Sequence, residues 1–235
     1  MVLMALDHTK DYFHQDHGIA DPLDLETTTP ILFFTRWITH LCAPIFIFLS
    51  GTSIYLQSKR KSPKELSMFV IKRGLWLIIA EWTIIAFAWT FNPTFNLIPF
   101  QVIWAIGISM VLLGVLLRLQ IKPWVLLLVG LAIILGHNSL DGIESGFKAL
   151  PPFWWDFLHY GSFTPRPLFS GITVLIAYPF LPWTALMMCG YALGKWYEAD
   201  VSPLIRRKRL IITGSGLILF FIALRSLNSY GDPLP

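Results

Sequence analysis

The chain has little cysteine and little charge. Only Cys42 and Cys189 occur in its 235 residues, and both fall in apolar stretches. That excludes a disulfide framework and points to buried structural thiols. Charged residues make up 14% of the chain, well below the roughly 25% typical of a soluble domain. Zinc-ligand spacings, phosphate-binding glycine loops, dinucleotide fingerprints and nucleophilic serine elbows are all missing, so the chemistries those motifs carry have no support. There is no internal repeat and no low-complexity run. The apolar runs are continuous rather than alternating, which argues against a β-barrel.

What is abundant is apolar surface. The chain is 55% hydrophobic with a mean hydropathy of +0.61. Several runs approach the roughly 20 residues needed to cross a bilayer. The expected fold class is therefore all-α, a polytopic transmembrane helix bundle forming one domain over residues 1–235. Residues 1–10 read as the end of a first helix whose beginning is expected before Met1. About six full spans follow: residues 30–56, 67–91, 98–118, 123–137 (shorter), 167–197 and 209–227. Pro179 and Pro182 are expected to break the sixth helix, because proline removes a backbone donor. The polar tail 228–235 reads as a loop with further helices expected after it, so the domain is expected to be incomplete at both ends.

Lys and Arg set the orientation. Lys59, Arg60, Lys61, Lys64, Lys72 and Arg73 form one group, Arg118 and Lys122 a second, and Lys195 with Arg206 to Arg209 a third. These loops are expected on the cytoplasmic side. The basic pI of about 9.1 then reflects short loops rather than a nucleic-acid surface. The long loops 11–29 and 138–166 hold the acids and are expected outside. The second carries Phe147, Phe153, Trp154, Trp155, Phe157, Tyr160 and Phe163. It reads as an interfacial aromatic belt, with a lid over a site as the alternative.

Ionisable groups in or beside lipid are costly, and they draw attention to a few residues. Arg36, Thr39, His40 and Ala43 follow i, i+3, i+4, i+7 spacing and line one helical stripe. Arg36 suits a phosphate or carboxylate, and His40 can pass a proton near neutral pH. The alternative is that Arg36 snorkels and His40 bonds a carbonyl. His8 sits at the outer end of helix one, with Asp11 one turn on. An acid so placed would fix the tautomer of His8 and favour it as a general base. His14 and His17 read as loop residues. Glu81 sits mid-span and needs a partner, with Arg73, Lys72 or a cation on another helix as candidates. Gly190 and Gly194 have the spacing of close helix packing. The alternative there is that Lys195, with Arg206 and Arg207, attracts the phosphates of a cytosolic cofactor.

At Met1 to Thr9, Arg36 to Gly51 and Gly190 to Gly194 the chain resembles the bacterial branch of heparan-alpha-glucosaminide N-acetyltransferase catalytic-domain proteins. The wider group of transmembrane acyltransferases is similar in carrying an Arg-Gly about eleven positions before an outer-face histidine. Here that histidine would be His8, and the Arg would precede Met1. The lysosomal relatives carry Asn where His8 stands and a histidine further along the next loop, a role for which His14 and His17 are candidates. The resemblance implies acetyl transfer from cytoplasmic acetyl-CoA to an extracytoplasmic sugar or amino sugar, with no metal expected. On that basis His8 is the expected base, oriented by Asp11. Arg36 and His40 polarise the thioester, and Lys195, Arg206 and Arg207 hold the CoA phosphates. The expected location is the inner (plasma) membrane. The expected partners are acyl-CoA, an envelope glycan and the lipid bilayer, with homo-oligomerisation open. Two other readings stand beside this one. The first is a small-solute transporter using the intramembrane Arg, His and Glu. The second is a haem protein with His8 and His40 as axial ligands.

Overall fold

The computed structural model describes residues 2–13, 28–140, 143, 151–169 and 171–227. Along the chain run α1 (Val2–Phe13), α2 (Pro30–Thr39), α3 (Cys42–Ser58), α4 (Pro63–Ala80) and α5 (Ala86–Thr90). They are followed by β1 (Leu97–Phe100), α6 (Val102–Arg118), α7 (Pro123–Gly136) and the short α8 (Phe153–Trp155). The described chain ends with β2 (Arg166–Phe169), β3 (Ile172–Ile176), α9 (Phe180–Leu193) and α10 (Pro203–Leu227). A π-turn, Glu81–Ile85, joins α4 to α5, so the path from Pro63 to Thr90 is helical throughout.

Local chemistry sets the helix boundaries. Ser62 and Glu65 form a reciprocal capping box at the start of α4, with Pro63 in the first turn. Pro123 likewise stands in the first turn of α7, which has no side-chain cap. The expected single helix over residues 30–56 is two helices. Pro44 has no N–H to give the carbonyl four residues back, that of His40, and its ring crowds that carbonyl. In the turn before it, Thr39 Oγ1 (3.1 Å) and the His40 N–H (3.0 Å) both donate to the Arg36 carbonyl. The helix therefore breaks at His40–Leu41. Arg36, Thr39 and His40 share the last turn of α2, while Ala43 belongs to α3.

α9 is the central rod. It packs against α3, α6 and α7, and α4 runs along α6. These crossings are backbone on backbone. A Cβ on Gly190 would run into the Phe48 carbonyl, and one on Gly51 into that of Met187. At the second crossing, a Cβ on Gly74 would lie 2.5 Å from the Gly107 carbonyl, and one on Gly107 2.8 Å from that of Gly74. Hydroxyls bond across the same contacts. Thr52 donates to the Gly190 carbonyl (3.0 Å), Ser67 to that of Gly114 (2.7 Å), and Ser109 and Thr184 pair at 3.0 Å.

The chain is mostly helical, but the described residues do not support six full spans. Among the described residues, three helical stretches are long and apolar enough to cross a membrane: Pro30–Ser58, Pro123–Leu140 and Pro203–Leu227. α9 falls short of that length. The 14 residues of α9 rise about 21 Å, against a hydrocarbon core of roughly 30 Å. Of the stretch read as helix six, residues 167–169 lie in β2 and 172–176 in β3, and the helix starts only after Pro179. The run Ile172-Thr-Val-Leu-Ile176 is mostly β-branched and suits a pleat. β3 pairs parallel with β1 and antiparallel with β2 in a three-stranded sheet of order β1-β3-β2. Residues 98–100, read as the start of helix four, belong to β1. α10 buries none of its residues in the described structure.

Gly190→Ala is expected to cost about 1–3 kcal/mol, the range for forcing extra atoms into a packed contact. Gly214→Ala, on α10 with nothing within 4 Å of its would-be Cβ, should be neutral or stabilise slightly. Thermal unfolding of both variants in the same detergent checks the pair.

Candidate functional site

The bundle has two chemically different ends. α3, α6 and α9 finish, and α4 and α7 begin, at the loops that carry Lys59 to Lys61, Lys122 and Lys195. Two clefts show that these loops gather. The larger, about 680 Å³, is lined by Ser53, Gln57, Lys59, Arg60, Tyr197 and Glu198 among others. The smaller, about 370 Å³, is lined by Ser58, Lys61, Gln120, Lys122 and Tyr191 among others.

Within the larger cleft a compact polar contact forms. Lys59 Nζ lies 2.6 Å from Glu198 Oε1, and the Tyr55 hydroxyl donates to the same oxygen. The Tyr55 ring meets that of Tyr191 edge-on at 5.3 Å. The bond to Lys59, and then that to Tyr55, holds the Glu198 carboxyl below its ordinary range. The bond to Glu198 holds the Lys59 ammonium above its own. Both groups are thereby kept charged.

Of the residues expected to hold phosphates, Lys195 and Arg206 stand beside this cleft, while Arg207 lines a separate one with Lys208. Lys195 is exposed on the short turn Gly194–Tyr197. The Arg206 guanidinium lies 5.5 Å above the Tyr197 ring, and Arg207 is exposed on α10. Lys59 and Arg60 line the cleft itself. In sequence these two look like topology markers, because any cytoplasmic loop is expected to be basic.

The residues expected to do chemistry lie at the opposite end. From the break at His40–Leu41, α3 runs 17 residues, about 26 Å, to the basic loop. Arg36 is half-buried and His40 exposed at this break. α1 packs against α2, so His8 lies on the neighbouring helix. The exposed His8 ring meets the Trp89 ring edge-on at 5.8 Å. Trp89, near the end of α5, is a neighbour that hydropathy could not single out. The Asp11 side chain, His14, His17 and Phe147 lie outside the described residues.

Glu81 is fully buried, and its partner is not Lys72 or Arg73. Its Oε1 accepts the Gln101 N–H at 3.3 Å, and the Trp104 N–H also faces the carboxyl. Glu81 thus serves the unbonded donors at the N-terminus of α6, across from its own helix. Arg73 instead stacks over Phe69 at 5.2 Å.

A polar knot missed in the sequence lies in the loop read as an aromatic belt. Asp156, fully buried, accepts from the Ser162 N–H (2.6 Å) and hydroxyl (2.9 Å) and faces Arg166 Nε at 3.0 Å. Arg166 Nη1 also donates to the Pro151 carbonyl. Gly161, at φ +67°, closes the π-turn Asp156–Tyr160 and makes this return possible. His159, buried, stacks on Trp155 at 4.9 Å and on His137 at 3.9 Å. Trp154 and Phe163 are exposed, as belt residues would be, but Trp155 is buried. Phe157 packs against Phe100, Trp104 and Phe180 at 5.7, 5.1 and 5.4 Å. This segment is an integral part of the core rather than a belt alone.

Compared with known proteins, residues 1–230 match the family model described as heparan-alpha-glucosaminide N-acetyltransferase, catalytic. Neither the curated proteins nor the solved structures contain a match to the chain.

Asp156→Asn leaves the buried Arg166 without its counter-ion and should cost about 3–5 kcal/mol, read as a lowered thermal midpoint. The Lys59–Glu198 pair sets a pH dependence. Glu198 is depressed in the folded state, so its contribution is present above its unfolded pKa and lost as pH falls through the folded one. Lys59 is raised, so its contribution is present below its unfolded pKa and lost as pH rises through the folded one. Glu198→Gln should therefore lower the midpoint near neutrality and converge with the parent protein in acid, in a series of melts across pH.

Proposed function

This chain belongs to the heparan-alpha-glucosaminide N-acetyltransferase catalytic family, and on that premise we propose that it moves an acetyl group from acetyl-CoA on the basic side of the membrane to a sugar or amino-sugar acceptor on the other. The observation that carries the reading is the family match over residues 1–230. The family is one of acetyltransferases, and the three long apolar helical stretches support a membrane location. The separation of a basic cleft from a histidine-bearing end supports a donor bound at one face and an acceptor at the other. Under this reading the basic face is cytoplasmic and the membrane is the inner (plasma) membrane.

The chemistry follows from the residue types. The acceptor's hydroxyl or amine attacks the thioester carbonyl. His8 takes the proton from the attacking atom as the new carbon–oxygen or carbon–nitrogen bond forms. Arg36 and His40 stabilise the charge growing on the carbonyl oxygen. The carbon–sulfur bond then breaks, and the thiolate leaves with the proton returned by His8. Asp11 orients His8 in this scheme. Lys195, Arg206 and Arg207 hold the phosphates of acetyl-CoA in this scheme. The transporter reading drew partly on a broken helix at Pro179 to Pro182. There the chain passes from strand to the start of α9, and the broken apolar stretch is instead Pro30–Ser58, interrupted at His40–Leu41.

The test is acetyl transfer in proteoliposomes, with radiolabelled acetyl-CoA on one side and glucosamine-terminated acceptors on the other. Label should appear on the acceptor. His8→Ala should lower the rate about 10²- to 10⁴-fold, the share of a positioned base, with acetyl-CoA binding retained. Transfer that is unchanged in His8→Ala removes His8 as the base, and an absence of acetyl-CoA binding and transfer removes the reading.

A further inference from the structure

We propose that Lys59 and Tyr55 form a phosphate-binding site at the basic end of the bundle, and that Glu198 occupies it as an internal anion that an incoming phosphate displaces. An ammonium and a phenolic hydroxyl converge on one carboxylate oxygen, Glu198 Oε1, at the edge of a cleft of about 680 Å³. That donor pair would serve a phosphate oxygen equally well. Lys59 is reachable, with its side chain 53% exposed, whereas that of Glu198 is 16% exposed and tucked inward. With Glu198 in place, the lining cations Lys59 and Arg60 are balanced by Glu198 and Asp200. Once Glu198 swings away, cation outnumbers acid and the cleft attracts an anion. The carboxylate is carried just after the short turn Gly194–Tyr197, so it can move without repacking a long helix.

The phosphate has two sources, the phosphorylated end of the thioester donor or an anionic lipid headgroup. The donor arm rests on the acetyl-CoA reading above. The full chain is placed in phosphatidylcholine nanodiscs and titrated with coenzyme A and with adenosine 3′,5′-bisphosphate by calorimetry. Parallel discs contain phosphatidylglycerol, and retained anionic lipid is counted by native mass spectrometry. Glu198→Gln should tighten phosphate binding roughly fivefold, the worth of releasing one exposed ion pair. Lys59→Gln should lose it, and Lys59→Arg should keep it. If Glu198→Gln melts too early to titrate, the two Lys59 variants decide alone.

A response in the coenzyme A arm assigns the site to the donor, and one in the lipid arm assigns it to a headgroup. Equal binding by every variant in both arms overturns the proposal. Unchanged coenzyme A binding with acetyl transfer continuing would sink this site and leave the acetyltransferase reading standing. A lipid response with no coenzyme A binding would do the reverse.

Discussion

The contact on which the rest of this structure depends is the approach of bare backbone to bare backbone where α3 crosses α9. Between helices in a bilayer there is little hydrophobic drive, because lipid tails are as apolar as leucine. Association rests on dispersion and on polar groups that find partners. Gly51 and Gly190 remove the side chains that would hold the helices apart, and Thr52 uses the proximity to reach the Gly190 carbonyl. Gly194 continues the seam, lying so close to Tyr55 that a Cβ would sit 2.5 Å from the tyrosine's own. The Tyr55 hydroxyl is thereby delivered to Glu198. The geometry of the basic cleft is thus a consequence of glycine spacing one to three turns away.

The other end is organised by buried carboxyl groups rather than by close approach. Glu81 and Asp156 are both fully buried, and each serves backbone donors. Glu81 holds the start of α6 against the π-turn that follows α4. Asp156 ties its own turn to Ser162 and to Arg166 at the start of β2. Between them lies the aromatic group Phe100, Trp104 and Phe157, which joins β1, α6 and the π-turn. Removing either acid would strand polar groups in an apolar interior, so these anchors are costly to lose even where they do no chemistry.

Parts of this were legible in the sequence. Continuous apolar runs announced a helical membrane protein, and the Lys and Arg loops that hydropathy assigned to one side do gather at one end of the bundle. The resemblance at Met1 to Thr9 and Arg36 to Gly51 pointed to the family that the match over residues 1–230 shows. Pro44 held the signal for the break at His40, which the apolar run 30–56 conceals. The sheet was missed because apolar β-branched runs look alike in a strand and in a buried helix. Glu81 was expected to meet a cation because its backbone partner, twenty residues on, leaves no trace in composition. The Asp156 knot was hidden among aromatic residues that suggested a belt.

By itself the sequence determined the class of environment, the helices with strong caps, the separation of basic from acidic loops and the family. Each depends on local composition or on residues a few positions apart. Only the tertiary structure decided which polar groups meet: Lys59 with Glu198, Glu81 with the N-terminus of α6, Asp156 with Arg166, His8 with Trp89. Those meetings depend on where helices cross and how closely. That is set by packing between segments up to about 140 residues apart, as the Tyr55–Glu198 bond illustrates at a separation of 143.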